Sequence, residues 1–447
     1  MQIDKIIELI LVKITKAGFE VAIVGGAVRD LLRKEKVTGW DLTTNATPEE
    51  LLKIFKEAHY TNRFGTVLVP ASGGEIIEVT TYRSEEGYSD ARHPDKVVWG
   101  KTLEEDLKRR DFTINAIALR FTGGKLGEIV DLFGGQSDLK SKVIRAVGDA
   151  NARFSEDALR MARAIRLATT LGFSIEEKTI GAIKKKAGLI TKISGERIRD
   201  ELFKIIASSN GDTGIMLMHK TGLLAQVLPE LDACFSVEQK SPQRHHIYDV
   251  GTHCVMSMKL CPSKDVIVRL ATLLHDIGKA KVAKVTEEGV RTFYNHELVG
   301  GKQVLKIADR LHLSRKDSDK LFTLVRFHQF TVSEEQTDSA LRRFIRNIGV
   351  ENIEDMMDLR IGDRLGGGLQ QPESWRLKLF RQRLAEVMKK PFTVADLKVN
   401  GRDVMEILKI KPGPKVGEVL NKLFEEVLED AKKNDRDYLM GRLKALK

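Results

Sequence analysis

The sequence predicts an α+β chain of several domains, with a mixed strand-and-helix segment first and an all-helical remainder after it. Three observations predict this. The 447 residues are enough for roughly two to four domains with real cores. Strand-like runs bracketed by paired glycines occur only before about residue 135. From about residue 140 onward, apolar residues recur at the three- and four-residue spacing of helices packed along one face.

The opening MQIDKIIELILVKITKAGFE reads as an amphipathic helix with acids near its start, not as a signal peptide. Phe19 to Val24 then reads as a strand that ends in Gly25 and Gly26 and leads into a helix. Asp41 stands in a short extended segment between Trp40 and Leu42. GTVLVP and EIIEVTTY flank Gly73-Gly74, and AIALRF and GEIVDLF flank Gly123-Gly124, two hairpin signals. Within EIIEVTTY, Ile77 and Val79 point one way while Ile76, Glu78 and Thr80 point the other. A carboxylate on such an apolar strand face is costly unless it is paired or metal-bound. In EEDLKRRDFTINAIALR, Arg109, Arg110 and Asp111 precede a strand and Asn115 falls within it. ALRMARAIRLATTL, TIGAIKKKAGLI and GERIRDELFKIIASS carry the helical spacing, and polar and proline residues interrupt it at EQKSPQRHH, residues 238–246.

Composition narrows the function classes. Hydrophobic content of 42% and charged content of 31% describe a globular chain. No apolar run nears the roughly 20 residues that span a bilayer. Cys234, Cys254 and Cys261 lack zinc spacing and suit a reducing cytoplasm, where they serve as small buried hydrophobes. A net charge of +11 and a pI near 9.3 favour a polyanionic partner. Without a polybasic cluster, that partner is not expected to be a membrane.

Gly25 and Gly26, between a strand and a helix, let the backbone approach a phosphate, and the helix start adds amide donors. Arg109 and Arg110 are suited to clamp a triphosphate or a ribose edge, and Asp111 to accept a hydrogen bond from a sugar hydroxyl. Asp157 and Arg160, three apart, are expected side by side on one helix. An ionised aspartate only accepts and an arginine only donates. Turned toward a nucleobase, such a pair would match the exocyclic amine and bare ring nitrogen of cytosine and adenine, whereas guanine and uracil present the reverse order; without a base it would be an ordinary i,i+3 salt bridge.

GGAVRD, WDLTTNATPEE, IIEVTTYR, EEGYSDARHPD and RRDFTINA resemble the successive motifs of the class II tRNA nucleotidyltransferases, a family of CCA-adding enzymes and bacterial poly(A) polymerases. The resemblance continues through SEDALRMARAIRLATTLGF and GERIRDELFKI and covers essentially the whole chain. It implies a polymerase-beta-like nucleotidyltransferase head over 1–139, a helical neck over 140–237, a body over 238–365 and a tRNA-binding tail over 366–447. It also implies Mg²⁺ in the head, with tRNA, CTP and ATP as partners of a monomer or dimer. By the same resemblance Asp41 and Glu78 are the catalytic metal-binding carboxylates. Gly25, Gly26, Arg29, Arg110, Asp111, Asn115, Asp157, Arg160 and Arg163 are then the nucleotide-binding set. One departure stands out. The family's Asp-x-Asp metal motif reads Gly39-Trp40-Asp41 here, so the first aspartate is missing. The activity expected is CCA addition to tRNA 3′ ends from CTP and ATP; the alternatives are poly(A) or partial CC- or A-addition, and tRNA binding with impaired catalysis.

RHHIYDVGTHC, LLHDIGK, NHELVGG and RFHQF place six of the ten histidines within about 85 residues. This stretch resembles the HD-domain phosphohydrolases, whose His…His-Asp…Asp ligands activate a water against a phosphoester. The resemblance makes His253, His275, Asp276 and Asp363 the core ligands, His296 and His328 accessory ones, and Lys279 a phosphate-binding residue. Mixed imidazole and carboxylate suits nickel, manganese, zinc or iron. In the tail, KIKPGPKVGEVL places lysines around a proline-led helix start, suited to phosphate contacts with tRNA.

Overall fold

The computed structural model describes residues 3–60, 65–71, 74–86, 96–100, 102–239, 248–287, 289–330, 332–333, 335–388 and 394–446. Gly73, the part of EEGYSDARHPD beyond Glu86 and most of EQKSPQRHH lie outside them. The chain forms two compact units, Met1–Asp232 and Ala233–Lys447.

The first unit opens with α1 (Lys5–Lys16), whose Ile7, Ile10, Leu11 and Ile14 are buried at helical spacing. Next come β1 (Val21–Val24), α2 (Gly26–Leu32), β2 (Asp41–Thr44), α3 (Pro48–Ile54), β3 (His59–Tyr60), β4 (Thr66–Pro70) and β5 (Ile76–Thr81). The first strand is thus shorter than the Phe19–Val24 expected, because the Phe19 amide closes the end of α1 on the Ile14 carbonyl and the Glu20 amide donates to Asn45 Oδ1. TPEE starts α3 as a capping box: Thr47 Oγ1 accepts from the Glu50 amide and the Glu50 carboxylate accepts from the Thr47 amide. A small hairpin of β6 (Arg83–Glu86) and β7 (Lys96–Trp99) leads to α4 (Leu103–Lys108), a 3-10 turn (Thr113–Asn115), β8 (Ile117–Thr122) and β9 (Lys125–Asp131). Asn115 therefore sits in the turn before the strand, not within it.

Seven strands form one sheet in the order β3-β4-β5-β2-β1-β8-β9. Both hairpin expectations hold, β4 pairing with β5 and β8 with β9, both antiparallel. Gly123 and Gly124 both have positive φ, +60° and +77°, as a tight hairpin turn demands. One sheet face packs Ile23, Leu42, Val79 and Leu119 against α1, and the other packs Ala22, Val24 and Ala118 against Leu103 and Leu107 of α4. With both faces covered, functional groups gather where β1 runs out into Gly25.

The rest of the first unit is α5 (Gly135–Ser141), β10 (Val143–Ile144), α6 (Ala150–Glu156), α7 (Leu159–Leu171), β11 (Ser174–Ile175), α8 (Glu177–Lys186), α9 (Gly195–Ala207), α10 (Gly211–Lys220), α11 (Leu223–Val227) and α12 (Pro229–Asp232). The second unit holds α13 (Val250–Leu260), α14 (Val266–Leu274), α15 (Lys279–Val282), β12 (Lys284–Val285), β13 (Arg291–Thr292), α16 (His296–Arg310), α17 (Arg315–Phe327), α18 (Asp338–Ile348) and α19 (Ile353–Gly366). It continues through α20 (Trp375–Val387), α21 (Gly401–Leu408), α22 (Pro414–Glu429) and α23 (Arg436–Ala445). The remainder is not purely helical: β10 pairs with β11 and β12 with β13, two-residue strands too short to leave a periodic signal. Among the described residues no helix is long and apolar enough to cross a membrane.

Candidate functional site

β2 and β5 run parallel, and their register sets Asp41 opposite Glu78. The two carboxylates therefore project side by side from neighbouring strands about 4.8 Å apart. Glu78 shares its face with exposed Ile76, so this face is open rather than the apolar one expected, and the buried side belongs to Ile77 and Val79. Gly25 has φ +69°, and a Cβ there would stand 3.0 Å from Asp41 Oδ2 and 3.2 Å from Arg110 Nη1. Glycine is required on both counts. Burial pushes the Asp41 carboxyl up, against the pull of the Arg110, Arg163 and Arg29 charges, and burial followed by the Asp41 charge pushes Glu78 up. A cation between the two would reverse both shifts.

Gly39 adds no ligand, and a Cβ built there meets nothing within 4 Å. Nearby acids are engaged elsewhere. Asp30 takes Arg29 through both oxygens at 2.9 Å and also lies 3.7 Å from Arg33. Asp111 accepts from Arg163 Nε at 2.8 Å and from the Phe112 amide at 2.8 Å. Asp106 holds Arg109 and Arg110. Among the described residues, three metal-ligating groups do not converge at Asp41 as they do in the second unit.

Around this carboxylate pair the arginines and the polar turn form one connected network. Arg29 Nη1 donates to Asn115 Oδ1 at 3.0 Å, and Asn115 Nδ2 donates to Asp111 Oδ1 at 3.3 Å. Burial works against the Asp111 charge, but Arg163 and Arg160 outweigh it and hold its pKa down to about 2. Asp106 was not singled out in the sequence. It has no solvent exposure, and it accepts from Arg109 Nε at 3.0 Å and Arg110 Nη2 at 3.0 Å. The signal that points to it is an acid three and four residues before a pair of arginines on a helix.

Asp157 and Arg160 are near each other but do not share a helix. Asp157 ends α6 in an extended conformation (φ −137°, ψ 106°), and α7 starts at Leu159. The Asp157 side chain explains the break: Oδ1 accepts from the Leu159 amide at 3.0 Å, the local bond by which aspartate starts helices. Its Oδ2 accepts from Arg197 of α9 at 3.0 Å. Arg160 donates to Glu156 at 2.7 Å and to the Arg109 carbonyl at 3.0 Å. The two residues are thus held separately, not as an ion pair with each other.

In the second unit two ligand trios meet. His253, His275 and Asp363 form one, and Asp276, His296 and His328 the other. Asp276 joins them: Oδ2 lies 3.3 Å from His275 and 3.6 Å from His253, while Oδ1 lies 3.1 Å from His296 and 3.6 Å from His328. The Nδ1 atoms of His275, His296 and His328 lie 2.7, 2.8 and 2.7 Å from the carbonyls of Thr272, Phe293 and Val325. That fixes the rings with Nε2 facing the cluster. Burial opposes a charged His275, but Asp276 and Asp363 raise its pKa to about 10; both acids are held well below the carboxylate range. Lys279 is engaged, its Nζ 2.5 Å from Asp276 Oδ2 and 2.8 Å from Gln239 Oε1. All three cysteines are buried, as expected.

Residues 21–145 match the poly A polymerase head domain, 172–235 the RNA and SrmB-binding site of polymerase A, 245–363 the HD domain and 389–443 tRNA nucleotidyltransferase domain 2. The chain is 34% identical over 429 residues to a CCA-adding enzyme of Lactobacillus delbrueckii subsp. bulgaricus, covering 96% of this chain and 94% of that one. It is 33% identical over 439 residues to the CCA-adding enzyme of Ligilactobacillus salivarius, covering 98% and 95%. Among solved structures it resembles the Bacillus stearothermophilus CCA-adding enzyme in complex with CTP, with a TM-score of 0.71 and 27% identity over 99% of this chain and 97% of that one.

Proposed function

This chain belongs to the CCA-adding enzymes, class II tRNA nucleotidyltransferases, and we propose that it extends tRNA 3′ ends with CMP and AMP drawn from CTP and ATP. The observation that carries the reading is the Asp41–Glu78 pair beside a network of Arg29, Arg110, Arg163, Asp111 and Asn115. The division into head (1–139), neck (140–237), HD body (238–365) and tRNA-binding tail (366–447) is part of the same proposal, as is a cytoplasmic setting.

In the reaction the tRNA 3′-hydroxyl oxygen bonds to the α-phosphorus, the bond to the bridging α–β oxygen breaks, and pyrophosphate leaves. Arg29, Arg110 and the amides after Gly25 hold the triphosphate, Asp111 and Asn115 the ribose. Asp157 accepts the exocyclic amine of cytosine or adenine and Arg160 donates to the ring nitrogen, so guanine and uracil leave both unsatisfied. Asp41 and Glu78 would hold Mg²⁺, which when bound stabilises charge on the attacking and leaving oxygens. Their placement and raised proton affinity fit a divalent cation, and Gly39 leaves its ligand set one carboxylate short.

Offering tRNA that lacks its last three residues, with one nucleotide at a time, tests the reading: CTP then ATP should be added in order. A ladder of AMP alone would make it a poly(A) polymerase. Asp157→Ala and Arg160→Ala should each raise UTP and GTP incorporation at least about tenfold relative to the parent. Unchanged rejection of UTP and GTP would contradict the role given to this pair.

A second reading concerns the HD body. Six candidate ligands, the bridging Asp276 among them, support a centre for manganese, nickel, zinc or iron that hydrolyses a phosphoester. In that reaction a water oxygen bonds to phosphorus, the ester P–O bond breaks, and the leaving alkoxide takes a proton.

A further inference from the structure

Lys279 is a poor candidate for holding a phosphate at the HD centre, since its ammonium is already shared by Asp276, Gln239 and the face of Phe293, 5.3 Å from the ring centre. A different cation stands where a substrate would arrive. The side chains of His253, His275, Asp276, His296 and His328 are at most 4% exposed, whereas that of Asp363 is 23% exposed. The cluster is therefore approached past Asp363. Its carboxylate faces two ways. Oδ1 lies 3.2 Å from His253 and 3.5 Å from His275, and Oδ2 accepts from Arg360 Nη1 at 3.2 Å.

Arg360 lies one turn before Asp363 on α19 and is 34% exposed. Its guanidinium sits over Phe330, 5.5 Å from the ring centre, and Phe330 packs against Phe344 and Phe380 at 4.8 and 5.2 Å between ring centres. This aromatic platform holds the planar fork in place. Among the described residues Asp363 is its only hydrogen-bond partner, so most of its five N–H donors are left to a ligand. Gly367 follows one turn after Asp363 with its Cβ direction 4.0 Å from His253 Cε1, so no side chain of its own stands beside that ring.

We infer that Arg360 is the phosphate-binding residue of the HD centre, and that the centre takes a phosphate ester with at least two free anionic oxygens presented to this fork. The inference rests on the reading of the centre as a phosphohydrolase. A bidentate guanidinium discriminates: it grips a phosphate or a cyclic phosphodiester through paired oxygens and gives little to a carboxamide or a neutral ester.

The test is calorimetric titration of inorganic phosphate into the full chain loaded with Mn²⁺, for the parent, Arg360→Ala and Arg360→Lys. Arg360→Ala should bind the same number of Mn²⁺ ions but bind phosphate at least about tenfold more weakly, and Arg360→Lys should recover part of the loss. CCA addition by both variants should equal the parent's, which checks folding. Equal phosphate affinity in Arg360→Ala would overturn the assignment of Arg360 and leave the phosphohydrolase reading standing. Loss of Mn²⁺ in Arg360→Ala would overturn it too, by making Arg360 a support for Asp363 alone. A parent that binds Mn²⁺ and no phosphate would overturn both.

Discussion

Asp106 carries two arginines on one carboxylate, without any solvent to share the charge. Removing a partner from such a cluster leaves buried charge uncompensated, which is why the effect should reach beyond the residue itself. Arg110 lies against Gly25, and the Arg109 carbonyl takes Arg160 Nη2 at 3.0 Å. One acid therefore supports both the phosphate side and the base side of the nucleotide site. Asp106→Asn keeps the shape and lowers the charge, so the KM for CTP and for ATP should rise together by about tenfold, roughly 1.4 kcal/mol. Misincorporation of UTP and GTP should rise with them. Steady-state kinetics with each nucleotide checks this. Unaltered KM and selectivity with a lowered melting temperature would make Asp106 a structural residue only.

At the scale of elements, the glycine of LLHDIGK explains how two ligand trios come to share one aspartate. A Cβ on Gly278 would fall on the His296 carbonyl oxygen and stand 2.7 Å from the Gly300 amide nitrogen, both backbone. Only glycine lets the segment after α14 lie against the start of α16 and so bring Asp276 to His296. Gly278→Ala should destabilise the second unit by about 1–3 kcal/mol, as overpacking does. It should also lower Mn²⁺ stoichiometry by separating His296 from Asp276, while CTP binding to the first unit persists. Urea unfolding followed with metal titration reads both effects; a variant with full stability and full metal content would contradict this account of the glycine.

The same elements mark what the sequence made legible. Alternating apolar residues and glycine pairs announced both hairpins, because a strand needs period two and, at Gly123-Gly124, a two-residue turn needs positive φ. The Asp41–Glu78 pairing was approachable for that reason, although which face of β5 was buried was not: Ile76 is apolar and yet 60% exposed. The break at Asp157 stayed hidden because EDALR is as good a helix sequence as its neighbours. Its only signal was an aspartate two residues before a long apolar-periodic run, the pattern of a helix start. The two-residue strands had no period to show. Nor could spacing say which histidine joins which trio, since His296 and His328 lie 32 residues apart and meet at 3.3 Å only through the packing of α16 on α17.

Taken whole, the molecule in the proposed reading has two centres of opposite completeness. The HD centre brings six candidate ligands together, while the head lacks one of the carboxylates that the family resemblance places there. Everything that binds the nucleotide in the proposed reading is in place: Gly25, the arginine network, Asp111 and Asn115. Affinity for CTP should therefore be ordinary and the chemical step slow, since several kcal/mol of lost transition-state stabilisation amounts to roughly two to four powers of ten. Water can fill a vacant ligand position without supplying charge. No nearby acid is free to substitute among the described residues, because Asp30, Asp106 and Asp111 are each bound to arginine. The backbone at Gly39 is not in the left-handed region and its Cβ direction is open, so an aspartate there needs no rearrangement. The decisive measurement is the single-turnover rate of CMP addition at saturating CTP and tRNA, for the parent and Gly39→Asp, across a range of Mg²⁺ concentrations. The account predicts a gain of at least about tenfold, roughly 1.4 kcal/mol, with CTP affinity nearly unchanged. A Gly39→Asp variant no faster than the parent at any Mg²⁺ concentration would contradict it.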